Sequence, residues 1–126
     1  MKPPIITEIQ SLNQFQEILA RNDKKITIVK LGAKWCAPCK RIEPLLYQWI
    51  DKLPDSVQIC LIDIDLNTQF YSFLKTKRIV NGVPALLCYE KKSGGDKTFD
   101  VYPDEVTIGA DVGQVNSFFE RCLRKL

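Results

Sequence analysis

Apolar positions along this chain fall into two periods. Ile26-Thr27-Ile28-Val29-Lys30-Leu31-Gly32-Ala33 is nearly all apolar and rich in β-branched residues, which predicts a central strand covered on both faces. Val57 to Ile64 repeats the pattern around Ile59-Cys60-Leu61-Ile62, and Ala85-Leu86-Leu87-Cys88-Tyr89 does so again after Asn81-Gly82-Val83-Pro84. Ile5 to Ile9 reads as a shorter first strand. Between these runs the spacing becomes helical. Leu12, Phe15, Ile18 and Leu19 mark one helix, opened by a capping box at Ser11-Leu12-Asn13-Gln14 and ended by the polar stretch Arg21 to Lys25. Ile42, Leu45, Leu46, Trp49, Ile50 and Leu53 mark a second, in which Pro44 predicts a kink near Lys40–Pro44.

Asp63, Asp65 and Asn67 are read as bringing the chain to the surface after the third strand. Thr68 to Lys77 is a short helix with an aromatic face at Phe70, Tyr71 and Phe73. Lys91 to Lys97 is a turn cluster, Thr98 to Tyr102 its return strand, and Pro103 to Gly109 a loop. Val112, Val115, Phe118, Phe119, Cys122 and Leu123 make the last helix, with Asp111 at its start and Arg121, Arg124 and Lys125 at its end, where the dipole favours cations. The predicted order is β-α-β-α-β-α-β-β-α, an α/β arrangement whose alternation implies parallel pairing and helices on both faces, with an antiparallel hairpin closing the edge.

Composition narrows the function. With 126 residues the chain reads as one domain, 1–126, with an ordinary apolar fraction of 45% and charged fraction of 26%. The net charge of +3 comes from scattered basic residues, which argues against nucleic acid as a partner. No apolar run reaches the ~20 residues of a membrane span. Met1 to Glu8 lacks a signal-peptide core, so the expected compartment is reducing. There the odd count of five cysteines is no disulfide framework, and Cys36-Ala37-Pro38-Cys39 is catalytic or metal-binding.

That stretch, Trp35-Cys36-Ala37-Pro38-Cys39-Lys40, lies between the buried strand and the helix after it. Two cysteines in the first turn face the same side, close enough for a small disulfide ring. The helix amino terminus, with its unpaired N–H groups and partial positive charge, favours a thiolate at Cys36, the more exposed of the two. Pro38 suits a first turn, where its missing N–H is not needed, and Trp35 would cover one flank of the sulfurs. Zinc here would need two more ligands, and the chain has no histidine and no second Cys-x-x-Cys. Cys60, Cys88 and Cys122 lie at apolar positions and read as core.

These residues resemble the thioredoxin family. The matching pieces are Trp35 to Lys40, Pro44 in the next helix, Val83-Pro84 ahead of the fourth strand, and Gly109-Ala110 before the last helix. The resemblance implies a thioredoxin-like fold, a mixed sheet of about five strands covered by about four helices. It implies a cis Val83–Pro84 bond beside the dithiol. Trp35, Ala37, Pro38, Val83, Pro84 and Gly109 would then support a groove for a substrate polypeptide. The implied function is a thioredoxin-type protein disulfide reductase, with Cys36 attacking a substrate disulfide and Cys39 resolving the mixed intermediate. It would need no cofactor or metal beyond the redox-active Cys36–Cys39 disulfide. A thioredoxin reductase-type donor would recharge it, and it would work as a cytoplasmic monomer.

Alternatives within reach are a thioredoxin-like adaptor whose dithiol is incidental, and a secretory oxidase or isomerase, against which Ala37-Pro38 argues. Lys30 departs from the family, which mostly places an aspartate there, and the lysine that accompanies that aspartate aligns with Leu61. As a modulator of the dithiol, Lys30 could be a neutral base for Cys39 or a cation that stabilises thiolate, with Lys40 a second modulator. The bland reading is a stem packed in the core and a head in water or on a carboxylate.

Overall fold

A computed structural model describes residues 5–91 and 101–126 of the chain. Its elements run α1 (Leu12–Leu19), β1 (Ile26–Gly32), α2 (Ala37–Lys52), β2 (Val57–Asp63), α3 (Thr68–Thr76), β3 (Ala85–Glu90), β4 (Glu105–Ile108) and α4 (Val112–Leu123). Among the described residues the strands form one mixed sheet in the order β2-β1-β3-β4. β1 is parallel to β2 and antiparallel to β3, and β3 is antiparallel to β4. The near-continuous apolar run of β1 therefore sits centrally, as its composition requires.

Side chains alternate across the sheet and build two cores. Val29 and Leu31 of β1 face Phe15 of α1 and Phe70 and Leu74 of α3, where Phe15 packs against Phe70 and Tyr89 with ring centroids 4.9 and 5.1 Å apart. Ile26 and Ile28 face Ile42 and Leu46 of α2 and Phe118 and Phe119 of α4, and Trp49 stacks on Phe119 at 5.1 Å. Lys30 belongs to this second face by period, and in register its neighbours are Leu61 on β2 and Leu86 on β3.

Beyond the pairing of β3, which runs antiparallel to β1 where the alternation implied parallel strands, three expectations change. The first strand shrinks to a single parallel bridge between Ile6 and Cys60, so the sheet has four strands rather than about five. Ile6 N–H donates to Ile59 O at 3.0 Å and Leu61 N–H to Ile6 O at 2.8 Å. Further along, the Ile9 N–H turns to a side chain, Asn67 Oδ1, at 2.9 Å, and the ladder stops. The closing hairpin forms with β4 at Glu105–Ile108, inside the segment read as loop. Val101 and Tyr102 are not strand, and Thr98 to Asp100 lie outside the described residues, as does the turn cluster from Lys92 onward. Pro103 ahead of β4 had suggested a loop, but there it costs the ladder no bond.

The third change is at α1. Ser11 Oγ accepts from Gln14 N–H at 3.0 Å as the capping box requires, yet the Gln14 amide accepts from Gln10 N–H, at 2.6 Å. α2 continues through Pro44, whose ring removes the bond the Lys40 carbonyl would accept. No helix among the described residues is long and apolar enough to cross a membrane.

Candidate active site

β1 ends at Gly32, and four residues later Cys36 caps α2. Its backbone is extended (φ −89°, ψ 104°), and its Sγ accepts from Cys39 N–H at 3.2 Å. A sulfur thus takes the place a serine or aspartate oxygen usually fills at a helix start. Ala37 and Pro38 are the first helical residues, so the proline stands where no intrahelical N–H is lost. Cys36 and Cys39 are joined as a disulfide, with Cα atoms 5.3 Å apart, inside the range such a bond spans. Cys36 keeps 4% of its surface exposed and Cys39 1%, so the order of exposure is the expected one, with a narrow opening at Cys36.

The opening is framed by distant segments. Cys36 Sγ lies 3.8 Å from the Val83 carbonyl oxygen, and the Val83–Pro84 peptide is cis. The Pro84 carbonyl accepts from Gly109 N–H at 2.8 Å. Gly109 has φ +109°, a conformation that side-chain-bearing residues avoid. The structure therefore gathers Cys36, Cys39, Val83, Pro84 and Gly109 at one end of the sheet. Trp35 stands out from this surface, 67% exposed, with its indole N–H donating to Asp65 Oδ2 at 2.9 Å. Ala37 is exposed and Pro38 half-buried.

Behind the dithiol is a recess of about 360 Å³, into which Lys30, Lys40, Glu43, Tyr47 and Asp63 all project. Lys30 is half-buried and Lys40 exposed. Four residues at or beside the site carry no sequence signal for it. Asp65 and Asp63 had read as strand ends, and the Trp35–Asp65 bond spans 30 residues, beyond any local pattern. Glu43 and Tyr47, four apart on α2, line the recess together with Lys40, a stripe visible only once the helix is laid against β1.

The other three cysteines are buried and unpaired. Burial pushes the Cys60 thiol up to about 12. The Cys88 thiol beside it, and then burial, push Cys122 far above the ordinary thiol range. Among the described residues no group of three or more His, Cys, Asp or Glu side chains gathers as a metal site.

Comparison with known proteins gives a consistent picture. The family model described as Thioredoxin matches residues 6–107. Thioredoxin H8 of Arabidopsis thaliana is 37% identical over 65 residues, which are 50% of this chain and 43% of that one. Thioredoxin Y, chloroplastic, of Oryza sativa subsp. japonica is 27% identical over 81 residues, 64% of this chain and 45% of its own. The chain spans about half the length of these curated relatives. Among solved structures, that of a poplar wild-type thioredoxin h has a TM-score of 0.72 at 20% identity, covering 98% of this chain and 100% of the other.

Proposed function

The chain belongs to the thioredoxin family, and from that premise we propose that it is a thiol–disulfide oxidoreductase working as a protein disulfide reductase. The observation that carries this reading is the Cys36–Cys39 pair closed at the mouth of α2, with Cys36 Sγ against the Val83 carbonyl. Reduced Cys36, as thiolate, attacks one sulfur of a substrate disulfide, and the other substrate sulfur leaves with the electron pair. Cys39 then attacks Cys36, releases the second substrate thiolate, and restores the disulfide.

The helix mouth supports the first step by favouring negative charge on Cys36. Lowering a thiol from ~8.5 to ~7, the borrowed value for thioredoxin itself, raises its thiolate share at pH 7 from ~3% to ~50%. Intrinsic nucleophilicity falls about fivefold over the same interval, leaving a net gain of about threefold. Alignment of three sulfurs therefore has to contribute more. The surface formed by Val83, cis-Pro84 and Gly109 beside Cys36 is a fit for an extended substrate segment, and the exposed Trp35 ring offers it an apolar wall. The same reading includes protein disulfides as substrates, a thioredoxin reductase-type donor and a monomeric state. Three buried free thiols suit a reducing compartment such as the cytoplasm.

Reduction of insulin disulfides with a dithiol donor tests this reading. Turnover that Cys36→Ser abolishes is the expected result. An inert protein with both cysteines reduced would overturn it and favour the adaptor, and a mildly oxidising equilibrium with glutathione would move it to the isomerases.

A further inference from the structure

Lys30 interrupts a strand that is otherwise apolar on both faces, and its register neighbours, Leu61 and Leu86, offer it no charge. The next residue on its face is Gly32. Gly32 does not occupy the left-handed region, so its missing side chain concerns space. A Cβ placed there would lie 2.7 Å from Lys30 Nζ, 3.0 Å from its Cε and 3.6 Å from Cys39 Sγ. The lysine arm therefore folds across the bare glycine, and its ammonium and the Cys39 sulfur flank one and the same position. Three lysines, Lys30, Lys34 and Lys40, stand in the recess against two carboxylates, Glu43 and Asp63, with the Tyr47 hydroxyl beside them. The lysines outnumber the carboxylates by one, and Lys30 is the one whose arm lies over Gly32.

We propose that Lys30 is a positioning residue for the resolving step, its ammonium stabilising the thiolate of Cys39 across Gly32. This rests on the reductase reading above. When Cys36 is bonded to a substrate sulfur, Cys39 S–H gives its proton to solvent. The freed electron pair forms the Cys39–Cys36 bond. The Cys36–substrate bond breaks, and its pair leaves on the substrate sulfur, which takes a proton from solvent. Lys30 keeps its own protons throughout, so it neither gains nor loses charge. A cation near a thiol favours the charged form, and Lys34 and Lys40 reinforce this field while Glu43 and Asp63 oppose it.

The test needs no substrate. In a Cys36→Ser background, alkylation of Cys39 by iodoacetamide is followed against pH, with the modified peptide identified by mass. Adding Lys30→Met should raise the midpoint by about one pH unit, a roughly tenfold loss of thiolate at neutral pH. Lys30→Arg should restore most of it. Gly32→Ala, which pushes the lysine arm aside, should give an intermediate shift, and it carries the test if Lys30→Met fails to fold. A midpoint unmoved by loss of the lysine, or by Gly32→Ala where that variant stands alone, overturns the proposal. Failure of the reductase reading shows separately, as an unmodified chain that does not reduce insulin whatever its Cys39 midpoint.

Discussion

Cysteine plays two opposite parts in this chain, and the difference is set by what surrounds each sulfur. Cys36 accepts a backbone N–H at a helix start, where developing negative charge is welcome. Cys60 is sealed between β1 and the Ile6 bridge with its thiol held near 12 by burial, and Cys88 and Cys122 sit together in the opposite core. A thiol held in its neutral form is a poor nucleophile. In the folded, reduced protein a mild thiol reagent should therefore label Cys36 and, more slowly, Cys39, and should reach all five cysteines only after unfolding. Peptide mapping of the labelled protein checks this, and labelling of Cys60, Cys88 or Cys122 at the Cys39 rate would contradict it. The sequence already separated these roles, because three of the cysteines lie in apolar periods and two in a turn of helix. It could not show Asp65 holding the Trp35 ring, since nothing near either residue in the chain records that they meet.

Helices were more legible than strands, for a reason visible at β4. A four-residue edge strand alternates too briefly to stand out, and Glu105–Ile108 is bounded by Pro103 and Gly109, both turn residues. What secures it is tertiary. Glu105 on β4 accepts from Arg121 of α4 at 2.6 Å and lies 3.4 Å from the Lys125 ammonium just beyond that helix. The Arg121 hydrogen bond holds the Glu105 carboxyl below the usual glutamate range. A carboxyl lowered in the folded state adds stability that is present above its unfolded value and is lost as pH falls through the folded one. The pair is partly exposed, so Glu105→Gln should cost about 0.5–1 kcal/mol at neutral pH. In urea melts the gap between the two proteins should shrink from neutral to acid pH, as the Glu105 carboxyl takes up its proton. An equal gap at both pH values would assign the loss to packing instead.

The whole molecule is a sheet between two cores, and beyond the Ile6 bridge the amino-terminal segment is stitched to it by a residue that the sequence pattern misplaced. Asn67 had read as a step to the surface after the third strand. Instead it is buried, because its amide closes a gap that no regular ladder fills. Its Oδ1 accepts from Ile9 N–H at 2.9 Å, and its Nδ2 donates to Asp63 O at 3.0 Å and to Thr7 O at 3.4 Å. The bonds to Ile9 and Thr7 join segments some 60 residues apart, and a composition rule that sends asparagine outward cannot anticipate them. The layered order and the two helical faces were legible because they follow from period alone. The cis Val83–Pro84 bond came only through the family resemblance, as the energies of X-Pro bonds favour trans.

Asn67→Ala would leave the buried Ile9 N–H without its acceptor, at a cost of about 1–3 kcal/mol. Because the loss is local, hydrogen exchange should separate it from general destabilisation. Peptides covering 5–10 should lose protection by a far larger factor than peptides from β1, which pairs with strands on both sides and opens only with the whole fold. Equal loss in the two regions would mean that the segment unfolds with the sheet and that Asn67 is one core contact among many. Selective loss would show the amino-terminal segment to be a separately opening unit, held by the Ile6 bridge to β2 and by the Asn67 amide at the start of α3.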